Sequence, residues 1–165
     1  MRNPDALNIT RINTRASVQL KSWMPRGNTS VAAALMAPAG GRLLELAPGE
    51  WLLISDTLGP DVLRVHAREI ERQGIAAVNV SPGLAAFSVE GLAAREIIEN
   101  SCGLDLHPGK FPVGTCTRTR MAQLPVIIDA VGGAPRFELY VGRSYAVYLS
   151  SWLEDAALGF DAPKR

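Results

Sequence analysis

The sequence predicts an α+β fold: antiparallel sheets with helices on one face, of ferredoxin-like type. Three observations carry this. Short strand-like runs come in pairs joined by Pro/Gly turns, which sets neighbouring strands antiparallel. Single helical segments separate the pairs. The strict strand-helix alternation of a doubly wound parallel sheet does not occur. No internal repeat or low-complexity tract interrupts the pattern. Residues 1–16 begin as a polar stretch without a period and read as a loose arm, and residues 17–160 read as one compact domain with room for two small lobes.

Taken in order, residues 17–23 alternate weakly and predict a strand, and residues 29–35 a second, alanine-rich one. Pro38-Ala39-Gly40-Gly41 is a turn. Residues 42–46 and 50–55 then form a hairpin across Ala47-Pro48-Gly49. Gly59-Pro60-Asp61 opens a helix whose apolar face is Leu63, His66, Ala67 and Ile70, and Gly74 stops it. Residues 75–80 are a strand, Ser81-Pro82-Gly83 a turn, and Ala85, Phe87 and Val89 one face of the next strand, with Ser88 and Glu90 on the other. A helix over residues 92–102 carries Ala94, Ile97, Ile98 and Ser101 on one side and ends at Gly103. Residues 104–115 are a connection. Residues 117–128 hold strand-like stretches in which Pro125 predicts an edge or a break. Phe137, Leu139 and Val141 alternate in a final strand. The last helix, over residues 145–158, places Tyr145, Tyr148, Leu149, Trp152, Leu153 and Ala156 on one stripe, with Ser144 placed to cap it.

Charge and composition exclude several classes. Seventeen basic residues stand against 16 acidic ones, without the basic excess that nucleic acid or an anionic membrane favours. The uncharged stretch over residues 27–41 contains Pro38 and three glycines and is too short to span a bilayer. With no apolar signal core after Met1-Arg2-Asn3-Pro4-Asp5, the expected location is cytoplasmic. Cys102 and Cys116 are too few and too far apart for a zinc site and read as two ordinary, partly buried thiols.

Catalytic chemistry has little to stand on. His66 lies on an apolar helix face. His107 lies in a loop, with Asp105 two residues earlier to orient it but no nucleophile beside it. There is no Gly-x-Ser-x-Gly elbow, and Cys102 falls at a helix C-terminus, the wrong end of the dipole for a reactive thiolate. Neither phosphate-cradling glycine motif occurs. Glu69 and Glu71 diverge on their helix, Glu154-Asp155 is a solvated helix end, and Asp129 reads as a turn acid at a strand end. The sequence therefore assigns no catalytic residue, no cofactor-binding residue and no metal ligand. What remains is a surface. Arg118 and Arg120 fall on one face of a strand about 7 Å apart, a spacing that suits a carboxylate. Trp51 opens a strand where an aromatic can be half exposed, and Arg143 lies at a strand end. Trp51, Arg118, Arg120 and Arg143 are the candidate partner-contact residues, for an interface of about 1,200–2,000 Å² or more with an aromatic and arginine centre.

Three blocks carry a resemblance. The first is Leu46-Ala47-Pro48-Gly49-Glu50-Trp51-Leu52-Leu53-Ile54. The second is Val80-Ser81-Pro82-Gly83-Leu84-Ala85-Ala86-Phe87-Ser88-Val89-Glu90-Gly91, with the following helix and Gly103-Leu104-Asp105-Leu106. The third joins Phe111-Pro112, Gly114, Cys116 and Arg118-Thr119 to Phe137-Glu138-Leu139-Tyr140-Val141, Arg143-Ser144-Tyr145 and Trp152-Leu153. In this order they resemble the gamma subunit of heterotetrameric sarcosine oxidase, whose fold is similar to the folate-binding domain of aminomethyltransferases. The resemblance implies a non-catalytic small subunit. Its partners would be larger flavoprotein subunits that hold the flavins, NAD and tetrahydrofolate and carry out oxidative demethylation of sarcosine with one-carbon transfer. Folate-dependent relatives carry an acid and further polar groups on the segment matching residues 121–131, and this chain does not keep that pattern. The alternative is a free-standing tetrahydrofolate-binding, aminomethyltransferase-like protein.

Overall fold

The computed structural model describes residues 7–12, 16–22, 41–56, 71–72, 74–132 and 135–161. Its strands, in chain order, are β1 (Asn8–Ile12), β2 (Ala16–Ser22), β3 (Arg42–Ala47), β4 (Glu50–Ser55), β5 (Ile75–Asn79), β6 (Leu84–Glu90), β7 (Cys116–Met121), β8 (Leu124–Val131) and β9 (Arg136–Gly142). The helices are α1 (Ala94–Glu99) and α2 (Ala146–Asp161). The chain divides into two compact units. One is discontinuous, Met1–Asn13 with Ala85–Arg165, and the other, Thr14–Leu84, is inserted within it.

The discontinuous unit is a five-stranded sheet in the order β1-β6-β9-β8-β7. β1 lies antiparallel to β6, β7 to β8 and β8 to β9. One face carries Phe87 and Val89 from β6, Val126, Ile128 and Ala130 from β8, and Phe137, Leu139 and Val141 from β9. Ala94, Ile97 and Ile98 of α1 and Ala146, Leu149 and Leu153 of α2 complete the same cluster, so both helices cover one face. The expected loose arm is corrected here. Asn8–Ile12 pairs with β6 residue for residue, from Asn8↔Glu90 to Ile12↔Ala86, and Leu7 and Ile9 pack against the core. Its alternation over five residues was too short to read as a strand without the partner that covers it.

β7 and β8 are joined by Ala122-Gln123, both at positive φ (49° and 68°), which is the backbone of a type I′ hairpin turn. Neither residue is a usual turn former, so the sequence hid this hairpin. Met121↔Leu124 closes it, and Arg120↔Pro125 is the next pair. Hydrogen-bonded pairs alternate along an antiparallel ladder, so the missing N–H of Pro125 points away from β7. The β8–β9 register begins only at Val126↔Val141, so Pro125 interrupts no bond there. β8 is thus an unbroken inner strand, not the edge or break that Pro125 suggested.

The inserted unit is a four-stranded antiparallel sheet in the order β3-β4-β2-β5. The β3–β4 connection is two residues long, not three. A register shift between Glu45 and Ala47 absorbs the extra residue, and Pro48 and Gly49 (φ 77°) occupy the central positions of the turn, as a type II turn requires. Val18, Leu20, Trp51, Leu53 and Ile75 form the core of this unit. At the far end of β2, the Ser81–Gly83 3-10 turn is stapled back. Ser81 Oγ accepts the Ser17 N–H at 2.8 Å and donates to Asn79 Oδ1 at 2.6 Å. The Ser81-Pro82-Gly83 turn thus secures a strand end. The helix expected to begin at Gly59 lies outside the described residues except for Glu71 and Arg72, which are helical. Gly74 follows at φ 76° and donates its N–H to the Glu71 carbonyl, the stop expected of it. The strand expected over residues 29–35, Trp23 and His66 also lie outside the described residues.

Candidate functional site

The residues singled out in sequence fall in different places. Trp51 is not half exposed. It is fully buried in the core of the inserted unit, opposite Leu20 on β2, and its side chain offers nothing to a partner. β4 is buried on both faces, which the apolar run Trp51-Leu52-Leu53-Ile54 implies once it is read as an inner strand. The Trp51 Nε1 finds no hydrogen-bond partner among the described residues.

The three arginines belong to the other unit. Arg118 and Arg120 are exposed on one face of β7, the edge strand. Arg120 does not stand ready for a carboxylate: its Nη2 donates to the Gln123 carbonyl at 3.2 Å and to Gln123 Oε1 at 3.3 Å, bracing the tight turn. Arg118 is engaged elsewhere as well. Arg143 is exposed in the 3-10 turn Arg143–Tyr145 that leads into α2. The antiparallel registers put the end of β9 at the same end of the sheet as the β7–β8 turn. Arg120 and Arg143 therefore share one sheet end, two strands or roughly 10 Å apart.

His107 and Asp105 form no catalytic pair. Asp105 Oδ1 accepts the backbone N–H of His107 at 3.0 Å, and His107 Nδ1 accepts the backbone N–H of Gly109 at 3.2 Å. Both side chains shape the loop whose Leu106 and Phe111 are buried. The Cys102 thiol donates to the Ile98 carbonyl at 3.1 Å. Burial pushes its pKa up, a backbone hydrogen bond from Leu104 partly offsets this, and Glu99 adds to the rise, so the environment favours the protonated thiol over the thiolate. Among the described residues no three His, Cys, Asp or Glu side chains are grouped to hold a metal, and no helix is long and apolar enough to cross a membrane.

The sequence missed a buried polar layer on the sheet face away from the helices. Asp129 is not a turn acid. It is 1% exposed inside β8, directly opposite Glu138 of β9, itself 2% exposed. Tyr140 Oη donates to Glu138 Oε2 at 2.6 Å, and Arg136 Nη2 donates to Glu138 Oε1 at 3.2 Å. Both oxygens of Glu138 are thus engaged, which suits a structural carboxylate better than a proton-transfer group. Ala86 and Ser88, on the face of β6 opposite Phe87 and Val89, are buried as well. The available signal was the spacing Arg136, Glu138, Tyr140, a same-face set able to bond internally, but it looks identical to a solvated strand face until something covers it. On the helix side, Arg95 of α1 sits over the Phe137 ring at 5.1 Å.

In α2, Ala146, Leu149 and Leu153 are buried, and Trp152 and Ala156 are half-buried against the core. Tyr145 and Tyr148, expected on the same stripe, are exposed. The buried stripe is narrower than the apolar one and leaves an aromatic margin in solvent.

Two antiparallel sheets in separate units, one of them discontinuous in sequence with both helices on one face of its sheet, and polar residues spent on turns and strand pairing define the class: an α+β protein. The glycine cleavage system aminomethyltransferase T from Bartonella henselae superposes with a TM-score of 0.60 at 13% identity, over 91% of this chain and 46% of that one. The sarcosine oxidase, gamma subunit family model matches residues 25–159, and the chain belongs to that family. It is 27% identical over 124 residues to the sarcosine oxidase subunit gamma of Corynebacterium sp. strain U-96, covering 75% of this chain and 60% of the relative. To that of an Arthrobacter species it is 28% identical over 151 residues, covering 83% and 72%. The chain thus spans about 60% of the length of the first of these relatives. A chain of the heterotetrameric sarcosine oxidase from Corynebacterium sp. U-96, in complex with pyrrole 2-carboxylate, superposes with a TM-score of 0.84 at 22% identity, over 99% of this chain and 90% of that one.

Proposed function

We propose that this chain is the small, non-catalytic subunit of a heterotetrameric sarcosine oxidase. Larger flavoprotein subunits would carry out the oxidative demethylation of sarcosine and hold the flavins, NAD and tetrahydrofolate. Family membership over residues 25–159 is the observation that supports this reading most directly. The described side chains point the same way. His107, Asp105 and Cys102 are committed to loop and helix-end bonds, and Glu138 to Tyr140 and Arg136, which leaves no nucleophile-base pair among them. A pterin needs several placed donors and acceptors to offset its desolvation, and residues 121–131 supply only Gln123, in the β7–β8 turn, and Asp129, paired within the sheet.

Co-expression with the adjacent large-subunit genes, followed by size-exclusion chromatography, tests the reading. The chain should co-elute with the larger subunits in an active, yellow complex, and alone it should be colourless and inactive on sarcosine. Full assembly and activity of the others in its absence would refute it. A micromolar tetrahydrofolate site on the isolated chain, by calorimetry, would favour the free-standing folate-binding alternative.

A further inference from the structure

Seven large hydrophobic residues are exposed among the described residues, and four of them, Tyr145, Val147, Tyr148 and Leu158, lie on or immediately before α2. Scattered singly they would need no explanation. Here they follow helical geometry. Val147, Tyr148, Ser151, Glu154, Asp155 and Leu158 are all exposed and fall at i, i+1, i+4, i+7, i+8 and i+11, one continuous outward stripe. α2 is thus apolar on the face that meets the sheet and half apolar on the face that meets water.

From this outward stripe we infer that α2 docks into an apolar groove with a basic rim on a larger subunit; the inference rests on the subunit reading above. Two observations choose that occupant. The first is charge. No Lys or Arg occurs between Ala146 and Asp161, whereas Glu154 and Asp155 are exposed at the middle of the stripe. Cations must face those acids, at the Glu154–Asp155 position, if they are to lie in an interface. The second is area. A helix of 16 residues is about 24 Å long and presents a strip about 10 Å wide, on the order of 250 Å². A stable complex needs about 800 Å² per partner. Two convex copies of α2 laid together reach a fraction of that, while a groove that wraps the stripe and the half-buried flank at Trp152 and Ala156 covers more of the helix and lets the surface around Tyr145 and Arg143 add to the contact. Tyr145 and Tyr148 at the start of the helix, beside Arg143, supply the aromatic and arginine anchors that such centres favour.

The test uses the full chain co-expressed with the larger subunits. V147D/Y148D should keep the wild-type melting temperature and lose co-purification by at least tenfold, while Val78→Asp, at an exposed apolar residue of the inserted unit, should assemble normally. E154K/D155K should weaken assembly most at low salt. Should V147D/Y148D fold poorly, Leu158→Asp and the charge reversal carry the same expectation. Normal assembly of folded stripe variants, or a wild-type homodimer dissolved by V147D/Y148D, overturns the α2 groove. Failure of the wild-type chain to co-purify overturns the subunit reading itself and is distinguishable from both.

Discussion

Glu138 is the residue whose removal tests the buried polar layer most sharply. Replacing it with alanine deletes the acceptor of the 2.6 Å Tyr140 hydrogen bond and the 3.2 Å Arg136 contact. The first is a charge-assisted bond to a buried hydroxyl, worth about 1.5–3 kcal/mol. The second involves a guanidinium side chain 36% exposed, so solvent holds it below about 1 kcal/mol. Asp129 stands directly across the strand pair, with Cβ atoms about 5 Å apart, so the substitution also alters the surroundings of a second buried carboxyl group. The expected net loss is about 2–4 kcal/mol. Tyr140→Phe removes the hydroxyl alone and should cost about 1.5–3 kcal/mol. Both residues make further interactions, which inflate the single-mutant losses but drop out of the coupling. In urea unfolding the double variant should therefore fall short of additivity by about 1.5 kcal/mol or more. Additive single losses, or a Glu138→Ala loss below about 0.5 kcal/mol, would mean that the 2.6 Å bond does not hold the layer together.

Leu149→Ala, at a fully buried position of α2, should lower stability by about 2–5 kcal/mol, whereas Trp152→Ala, only partly buried, should fall short of the ~3–5 kcal/mol of a buried Trp; chemical denaturation ranks the two. Gly49→Ala should destabilise by about 1 kcal/mol or more because its φ is 77°, while Gly83→Ala, with nothing within 4 Å of a new Cβ, should be neutral or slightly stabilising; paired melts decide this. The raised Cys102 pKa means that the folded state holds its proton more tightly than the unfolded chain. That contribution is complete below the ordinary thiol range and is lost as pH rises through the folded value. Cys102 should resist maleimide at neutral pH, and Cys102→Ser should flatten the alkaline fall in stability; rapid labelling of the folded chain at neutral pH would contradict this.

The fold class was legible because strand pairing and helix faces are written in local periodicity. Ala85, Phe87 and Val89, or Ala94, Ile97 and Ile98, announce a buried face without reference to anything distant. What stayed hidden depends on second faces. Trp51, Ser88 and Asp129 sit on strands covered on both sides, and no local pattern separates a polar residue buried in a layer from one facing water. The arginines were misjudged in a different way. Arg120 looked like half of a carboxylate clamp, but the Ala122-Gln123 turn beside it had no glycine or asparagine to announce itself, and that turn is what its guanidinium braces. For the acids the gap is the same: Asp129 and Glu138 lie nine residues apart and meet only across a strand pair.

The discontinuity of the larger unit bears on the order in which the protein can form during synthesis. β1 leaves the ribosome before any of Thr14–Leu84, yet its partner β6 follows all of it. The inserted sheet, complete by Asn79, can close first and act as a tether between strand and partner. Entropy alone penalises such a detour lightly, since each doubling of a loop adds about 0.6 kcal/mol, and a folded insert shortens the effective loop further. The exposure is kinetic. Until β6 emerges, Asn8–Ile12 is a strand with neither edge occupied, available to any other incomplete chain nearby.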